Sequence, residues 1–442
     1  MHKLAGRQWF LDEGIPEELK DKVVLEQGLA AAGAGWLCNR CGNQSKSRFA
    51  SFPCARCGKT CAYCRHCISM GRVSACTTLV RWSGEEESCS NPGTLVWEGT
   101  LSPGQKLASQ AVVEAVQQRT SCLIWAVCGA GKTEMLFAGI AAALQGGQRV
   151  CLATPRTDVV LELAPRLREV FPHTPIAALY GGTPDHDAGA PLVIATTHQL
   201  FRYHRAFDTV ILDEADAFPY SADATLRFAL EGARRRQSAM VYLTATPNEE
   251  WKREVKRGKR KAVIIPARYH RHPLPVPSFA WCGDWQRLVK KGRLPARVLR
   301  WAAGHLQAKR PVFLFVPHIR YVELATAILQ RLDERIAGVH AEDAQRKEKV
   351  AAFRRGDIPL LVTTTILERG VTVPNVQVAV MGAEDRLFTE SALVQIAGRA
   401  GRNAKFPAGD VVFFHFGKTE AQEAAKRHIA GMNRQAKEMG LL

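Results

Sequence analysis

The stretch Ala126-Val-Cys-Gly-Ala-Gly-Lys-Thr133 constrains the fold more than any other. It follows an apolar run at 123–127 and precedes a helical pattern at 134–144. Such a loop works only as the turn between a buried strand and a helix. Small residues let its N–H groups curl inward, and the helix N-terminus adds partial positive charge. The hollow fits phosphate. The backbone of Gly129, Ala130 and Gly131 would cradle it, Lys132 would reach the β and γ phosphates of ATP, and the Thr133 hydroxyl would ligate Mg²⁺. Ala126 stands where the usual pattern has glycine, a mild departure.

A strand–loop–helix unit calls for more of the same. From Leu101 onward, short apolar runs alternate with helical patterns, the signature of α/β folds with parallel sheets. Buried strands are predicted at 123–127, 150–154, 192–195, 210–212 and 241–243. A segment rich in Lys, Arg, His and Pro at about 252–277 interrupts, and strands resume at 312–316, 336–339, 360–362, 376–381 and 411–414. Two similar sheets suggest two lobes with a cleft. The expected division is a polar, helix-leaning lead-in at 1–37, a cysteine module at 38–78, a linker at 79–100, lobe 1 at 101–270, a basic joint at 271–296 and lobe 2 at 297–442. A length of 442 residues agrees with about three domains.

Composition narrows the partners. The net charge of +18 points to an anionic partner, nucleic acid first and an acidic membrane surface second, with a generally basic surface as the bland alternative. No apolar run approaches the roughly 18 residues of a membrane span, and Met-His-Lys-Leu-Ala-Gly-Arg lacks the apolar core of a signal peptide. A cytoplasmic protein is expected.

Two further clusters suit phosphate chemistry. Thr209-Val-Ile-Leu-Asp-Glu-Ala-Asp216 sets carboxylates at the end of a β-branched strand, where such sheets line their ligand crevice. Asp213 suits magnesium, and Glu214 suits orienting or deprotonating the attacking water. In Gln395-Ile-Ala-Gly-Arg-Ala-Gly-Arg402 a helix would present Arg399 and Arg402 on one face, as forked donors for a γ-phosphate. Delivered across a cleft, they would make lobe closure depend on ATP.

The ordered set resembles a superfamily 2 helicase motor of the DEAD/DEAH kind over about 101–418, which implies two tandem RecA-like lobes. By that resemblance Gln105, in Leu101-Ser-Pro-Gly-Gln105, reads the adenine. Thr154, Pro155 and Arg156, Thr197 of Thr196-Thr-His-Gln199, and Thr244 and Thr246 match motifs that grip a strand and couple it to the ATP site. Thr363 and Thr364, in Thr363-Thr-Thr-Ile-Leu-Glu-Arg-Gly370, do so on the second lobe, with Gly370 beside the nucleotide. Threonine hydroxyls can donate to backbone phosphates without sequence preference.

Of 13 cysteines, seven fall between Cys38 and Cys67. Paired thiolates at this spacing close a turn around tetrahedral Zn²⁺. Two partitions are open. One is a sequential ribbon of Cys38, Cys41, Cys54 and Cys57. The other is a cross-brace of Cys38, Cys41, Cys64 and Cys67 with Cys54, Cys57, Cys61 and Cys76, favoured because eight thiolates divide evenly.

The cysteine module ahead of this motor, with Ala62-Tyr-Cys-Arg-His-Cys-Ile-Ser-Met-Gly-Arg-Val73, Asp213-Glu-Ala-Asp-Ala-Phe-Pro219 and Leu387-Phe-Thr389, closely resembles the late competence ATPase family ComFA. That resemblance supports Cys38, Cys41, Cys64 and Cys67 as one zinc site and leaves a second zinc open. It implies an ATP-dependent single-stranded DNA translocase for uptake of transforming DNA, peripheral to the cytoplasmic face of the inner membrane, with ComFC and the ComEC channel as partners. A replication-restart or repair helicase of the primosomal type is the alternative; there the zinc module lies within the second-lobe region. A zinc-stabilised adaptor with a degenerate motor is a third reading, opposed by the complete phosphate chemistry.

Lys252-Arg-Glu-Val-Lys-Arg-Gly-Lys-Arg-Lys261 holds seven basic residues against one acidic. A solvated helix face, a DNA contact and a lipid contact are all open. Trp281, Trp285 and Trp301 would stack on bases or pack a lobe.

Overall fold

The computed structural model describes residues 4–33, 35–84, 93–184, 186–369 and 371–442. Gly370 and residues 85–92 of the expected linker lie outside them. The chain divides into two compact units, Met1–Ile124 with Thr133–Val263, and Trp125–Lys132 with Ile264–Leu442. No helix among the described residues is long and apolar enough to cross a membrane.

A seven-stranded sheet organises the first unit. Its order is Ile176–Leu179, Leu192–Thr196, Val150–Thr154, Phe207–Leu212, Arg234–Thr244, Ser121–Ala126 and Ala262–Ile265. The first five of these pair in parallel. Val150–Thr154, Leu192–Thr196 and Phe207–Leu212 are buried along their whole length, which explains why they read as continuous apolar runs. Ile176–Leu179 and Ala262–Ile265 were not expected. Ile176-Ala-Ala-Leu179 is half alanine, which carries little strand signal, and Ala262–Ile265 lies within the basic segment read as an interruption.

The second unit carries a six-stranded, all-parallel sheet. Its order is Ser278–Trp281, Val411–His415, Gln377–Met381, Val312–Phe315, Leu360–Thr363 and Ala337–Val339. Of the stretch read as a joint, Ser278–Trp281 is an edge strand of this sheet and Trp285–Lys290 a helix. Trp285 is 1% exposed and donates to Glu384 at 2.7 Å. Trp301 donates to Asp410 at 2.6 Å. Trp281 alone of the three is exposed. In the basic run, Lys252, Arg260 and Lys261 are ion-paired to Glu249, Glu254 and Glu114, while Lys256, Arg257 and Lys259 face solvent.

The lead-in differs most from expectation. It forms strands and 3₁₀ turns, not α-helix. Gln8–Phe10 and Val23–Gln27 flank Thr78–Trp82 in an antiparallel sheet, and Leu29–Ala32 pairs with Gly35–Cys38. Glu17–Lys22 has helix-favouring residues but makes only a 3₁₀ segment, entered from Pro16 and left at the β-branched Val23. Tertiary pairing with a strand more than fifty positions away overrides local propensity.

A buried ionic network seats this region on the lobe within the first unit. The Asp187 carboxylate accepts from Arg149 at 2.6 Å, Tyr203 at 2.7 Å and Arg7 at 3.2 Å, while the Gly189 and Ala190 N–H groups bond its other oxygen. Arg149 also donates to the Ala5 carbonyl at 3.0 Å, so one guanidinium ties lobe and lead-in together. Its side chain is 1% exposed and that of Asp187 is 0%.

Candidate functional site

The residues expected around ATP leave their strands at one edge. Register pairs Thr154 with Thr196, Ala153 with Leu212, and Leu212 with Tyr242. The segments beginning at Thr154, Thr197, Asp213 and Thr244 therefore all emerge from the carboxyl edge of the sheet, where open α/β sheets bind ligands. Asp213 accepts the Glu214 N–H at 2.8 Å, and Glu214 sits at φ 56°, a left-handed conformation that costs an ordinary residue energy.

The phosphate loop follows Ser121–Ala126. Gly129 and Gly131 take φ 84° and 72°, open to glycine and strained for other residues, and the Ala130 N–H bonds the Val127 carbonyl at 3.2 Å. Lys132 and Thr133 are half-buried. The helix expected at 134–144 starts later. Glu134–Leu136 is a 3₁₀ turn and Phe137–Gln145 the α-helix, a common tightening of a first turn. Arg166 donates to the Thr133 hydroxyl at 3.4 Å and pairs with Glu134. In oxygen chemistry, the Thr133 hydroxyl and Asp213 carboxylate fit a hard cation. Gln105 is 1% exposed, and its amide oxygen accepts the Ser102 N–H at 2.8 Å in a capping box that opens Pro103–Gln118.

The threonines are mostly interior. Thr244 and Thr246 donate to the two oxygens of Asp216, at 2.6 and 2.7 Å, so the end of one strand holds the carboxylate loop of its neighbour. Asp216 was visible in the Asp-Glu-Ala-Asp string but unassigned. Thr154 and Thr197 are 0% exposed, and their hydroxyls lack a hydrogen-bond partner among the described residues. Pro155 is buried beside Arg156, which makes a two-pronged pair with Asp158 at 3.0 and 2.9 Å. Thr363 is buried, and Thr364 caps a 3₁₀ turn by accepting from the Ile366 N–H.

The two arginines do not share a helix face. Glu390–Ala397 ends before them, and the glycines of Gly398-Arg-Ala-Gly401 carry the chain through a turn, with Gly401 at φ 66°. Arg399 is 1% exposed and holds its own lobe together, donating to the Glu368 carbonyl at 2.9 Å and to that of Val371. Arg402 is half-buried and donates to Gly398 at 2.9 Å. Arg268, which no motif flagged, donates to the carbonyls of Ala400 at 2.8 Å and of Gly401. Burial, then the charge of Arg402, push its pKa down to about 10. Cys128 of the phosphate loop donates to Gln395 at 2.9 Å.

The cysteines gather as two interleaved sets. The sulfurs of Cys38, Cys41, Cys64 and Cys67 lie within 4.8 Å of one another, and so do those of Cys54, Cys57, Cys61 and Cys76. The sequential ribbon is not formed. In the first set Cys41 and Cys64 are 3.6 Å apart and Cys38 and Cys67 3.7 Å. Four sulfurs about 2.3 Å from one ion at tetrahedral angles lie about 3.8 Å apart, so the first set has the size of a Zn²⁺ cage. Its members are at most 2% exposed, and Asn43 donates to the Cys64 sulfur at 3.6 Å. Mutual hydrogen bonds push the thiol pKa values of Cys64 and Cys67 down and those of Cys38 and Cys41 up, as expected of four thiols packed against one another.

Residues 2–81 match the family described as "Competence protein ComFA N-terminal domain", residues 103–254 "DEAD/DEAH box helicase", and residues 295–404 "Helicase conserved C-terminal domain". The competence protein ComFA of Bacillus subtilis (strain 168) is 52% identical over 433 residues, 98% of this chain and 93% of that protein. That of Streptococcus pneumoniae (strain ATCC BAA-255 / R6) is 39% identical over 376 residues, 85% of this chain and 86% of that protein. Among solved structures, the DEAD-box helicase Mss116 bound to ssRNA and UDP-BeF has a TM-score of 0.56 at 17% identity, covering 71% of this chain and 70% of that one. RecG bound to a three-way DNA junction has a TM-score of 0.52 at 18% identity, covering 77% of this chain and 47% of that one. At such identity these speak for the fold, two RecA-like helicase lobes.

Proposed function

The chain belongs to the ComFA family of competence proteins, and from that premise we propose that it is an ATP-driven motor moving single-stranded DNA during natural competence. The observation that carries the reading is the shared carboxyl edge at which Thr154, Thr197, Asp213 and Thr244 leave the sheet. There, a change at the nucleotide is felt by Asp216 and passed through its bonds to Thr244 and Thr246.

In this reading Gln105 reads the adenine. The loop Gly129-Ala-Gly131 and Lys132 bind the phosphates, and Glu214 orients the attacking water. Thr133 and Asp213 would hold Mg²⁺, which neutralises phosphate charge when bound. Arg399 and Arg402 meet the γ-phosphate, while Arg399 also holds the carbonyls of Glu368 and Val371. Thr154, Pro155, Arg156, Thr197, Thr363 and Thr364 serve the DNA strand, with Thr244 and Thr246 coupling it to hydrolysis. Cys38, Cys41, Cys64 and Cys67 hold a structural Zn²⁺, since four thiolates leave no open position for chemistry. From the family resemblance, ComFC and the ComEC channel are the proposed partners, met at the cytoplasmic face of the membrane.

Steady-state ATPase with and without single-stranded DNA tests the motor. Wild-type turnover should rise several-fold with DNA, and Lys132→Ala should lose about 10²–10³ in rate, the scale of one deleted transition-state donor. Turnover indifferent to single-stranded DNA would overturn the reading.

A further inference from the structure

The strand Thr60–Cys64 feeds two thiol clusters at once. Residues an odd number apart on a strand point to opposite faces. Cys64 turns toward Cys38, Cys41 and Cys67, and Cys61, three residues earlier, turns toward Cys54, Cys57 and Cys76. One short strand thus makes the brace cross.

The second cluster repeats the local architecture of the first. The Cys38 N–H bonds the Asn43 carbonyl at 3.0 Å, and the Gly42 N–H bonds the Cys38 carbonyl at 2.7 Å. Sixteen positions on, the Cys54 N–H bonds the Lys59 carbonyl at 3.0 Å, and the Gly58 N–H bonds the Cys54 carbonyl at 2.9 Å. Gly42 and Gly58 take φ 71° and 66°. Each Cys-x-x-Cys-Gly turn therefore aims two sulfurs at one point, and two more sulfurs arrive from elsewhere. Cys54 and Cys76 are 3.7 Å apart, too far for a disulfide of about 2.05 Å and close to the ~3.8 Å edge of a zinc tetrahedron.

Hydrophobic burial does not explain this gathering. Cys57 is exposed, and the turn around it carries the charged, exposed Arg56 and Lys59. Sulfurs all within 4.8 Å enclose a single ion rather than an iron–sulfur cluster. Four soft ligands with no vacant position favour d¹⁰ zinc in a structural role.

We propose that Cys54, Cys57, Cys61 and Cys76 form a second tetrathiolate zinc site, which ties the tip of the Phe49–Pro53/Thr60–Cys64 hairpin to the turn after Val73–Ser74. This inference does not rest on the motor reading. The two sites differ in access, the first sealed among side chains and the second at the surface, so the second releases its ion first.

Metal analysis of the purified full-length chain decides the matter. Two zinc ions per chain are expected, released to a chromogenic chelator in two phases, the first at least tenfold faster. Cys57→Ser/Cys76→Ser should keep one zinc and only the slow phase. Alkylation of the native wild-type chain, mapped by mass spectrometry, provides a measurement that needs no variant to fold. The four thiols should resist reagent until the fast zinc leaves. One zinc per chain with these thiols immediately reactive would overturn the proposal, and so would iron in place of the second zinc.

Discussion

The second lobe and the cysteine-bearing N-terminal region solve the same problem by different physics. In the lobe, Val312–Phe315, Leu360–Thr363, Gln377–Met381 and Val411–His415 are buried at every position. Each Val, Leu or Phe there contributes about 1.5–3 kcal/mol, so stability is spread over many side chains. In the N-terminal region, Gln8–Phe10 has no fully buried residue, and neither does Val23–Gln27, where Val24 and Leu25 are exposed. Its own buried apolar cluster is only Ala5, Leu19 and Trp82, while Leu29, Ala62 and Val73 belong to a core shared with the first lobe. The two cysteine sets and the Asp187 network reinforce this borrowed core. The lesson is one of leverage, because a region with little core of its own leans on each cysteine set and ion pair more than the lobe leans on any one side chain.

The sharpest test removes the metal. Structural zinc in small modules contributes about 10–16 kcal/mol of folding energy at neutral pH. Cys41→Ser, or exhaustive chelation, should abolish amide-exchange protection across residues 35–82 and leave the strands Val312–Phe315 and Gln377–Met381 protected. Uniform loss of protection in both regions would break the comparison, for it would mean that the lobe also depends on zinc.

Next in size is the ionic network. Asp187→Ala leaves the guanidinium of Arg149 buried without its carboxylate, which costs about 3–5 kcal/mol. Leu314→Ala in the second lobe should cost about 2–5 kcal/mol through its cavity. The energies are similar, but the consequences should differ. Limited proteolysis should find the lead-in released from the first variant, while the second should show no new cleavage at the N-terminus. Release in both would remove the distinction drawn here.

This difference in physics also governs what the sequence made legible. Strands such as Val150–Thr154 and Gln377–Met381 announce themselves because both faces are buried and the residues run apolar. Asp213 and Glu214 stand out because a strand must end where its carboxylates begin. Arg7, Arg149 and Asp187 give no such signal. They are 38 to 180 positions apart, and no periodicity connects them. Arg268 is equally silent, being a single arginine in a basic stretch that happens to meet the carbonyls of the Gly398–Gly401 turn. Arg399 and Arg402 were legible as residues, but the helix expected to carry them stops at Ala397. Spacing of three suits a helix face, and the two glycines that end it weigh more.

The smallest effect separates the regions by pH. His204 lies where the lead-in meets the lobe, its backbone N–H donating to the Gly6 carbonyl at 2.9 Å. Burial, then the charges of Arg81 and Arg205, push its imidazole pKa down to about 4. An unfolded histidine titrates near 6.5, so between about pH 6.5 and 4 the unfolded chain binds the extra proton. Stability from this group is complete above about pH 6.5 and falls as the pH drops toward 4. His204 keeps partial access to solvent, so screening trims the loss to about 1–2 kcal/mol. Asp187 acts lower still. Burial would raise its carboxyl pKa, but Arg149, Tyr203 and Arg7 outweigh that and hold it below the ordinary value, so its contribution survives until the pH is under about 4. Urea midpoints at pH 7 and pH 5 should therefore differ in the wild type, and the gap should narrow in His204→Gln. The remainder comes from His198, His270 and His415, whose pKa values burial also lowers. If the variant keeps the full pH 5 loss, the proton is taken up elsewhere and the seam is not the acid-sensitive part of the molecule.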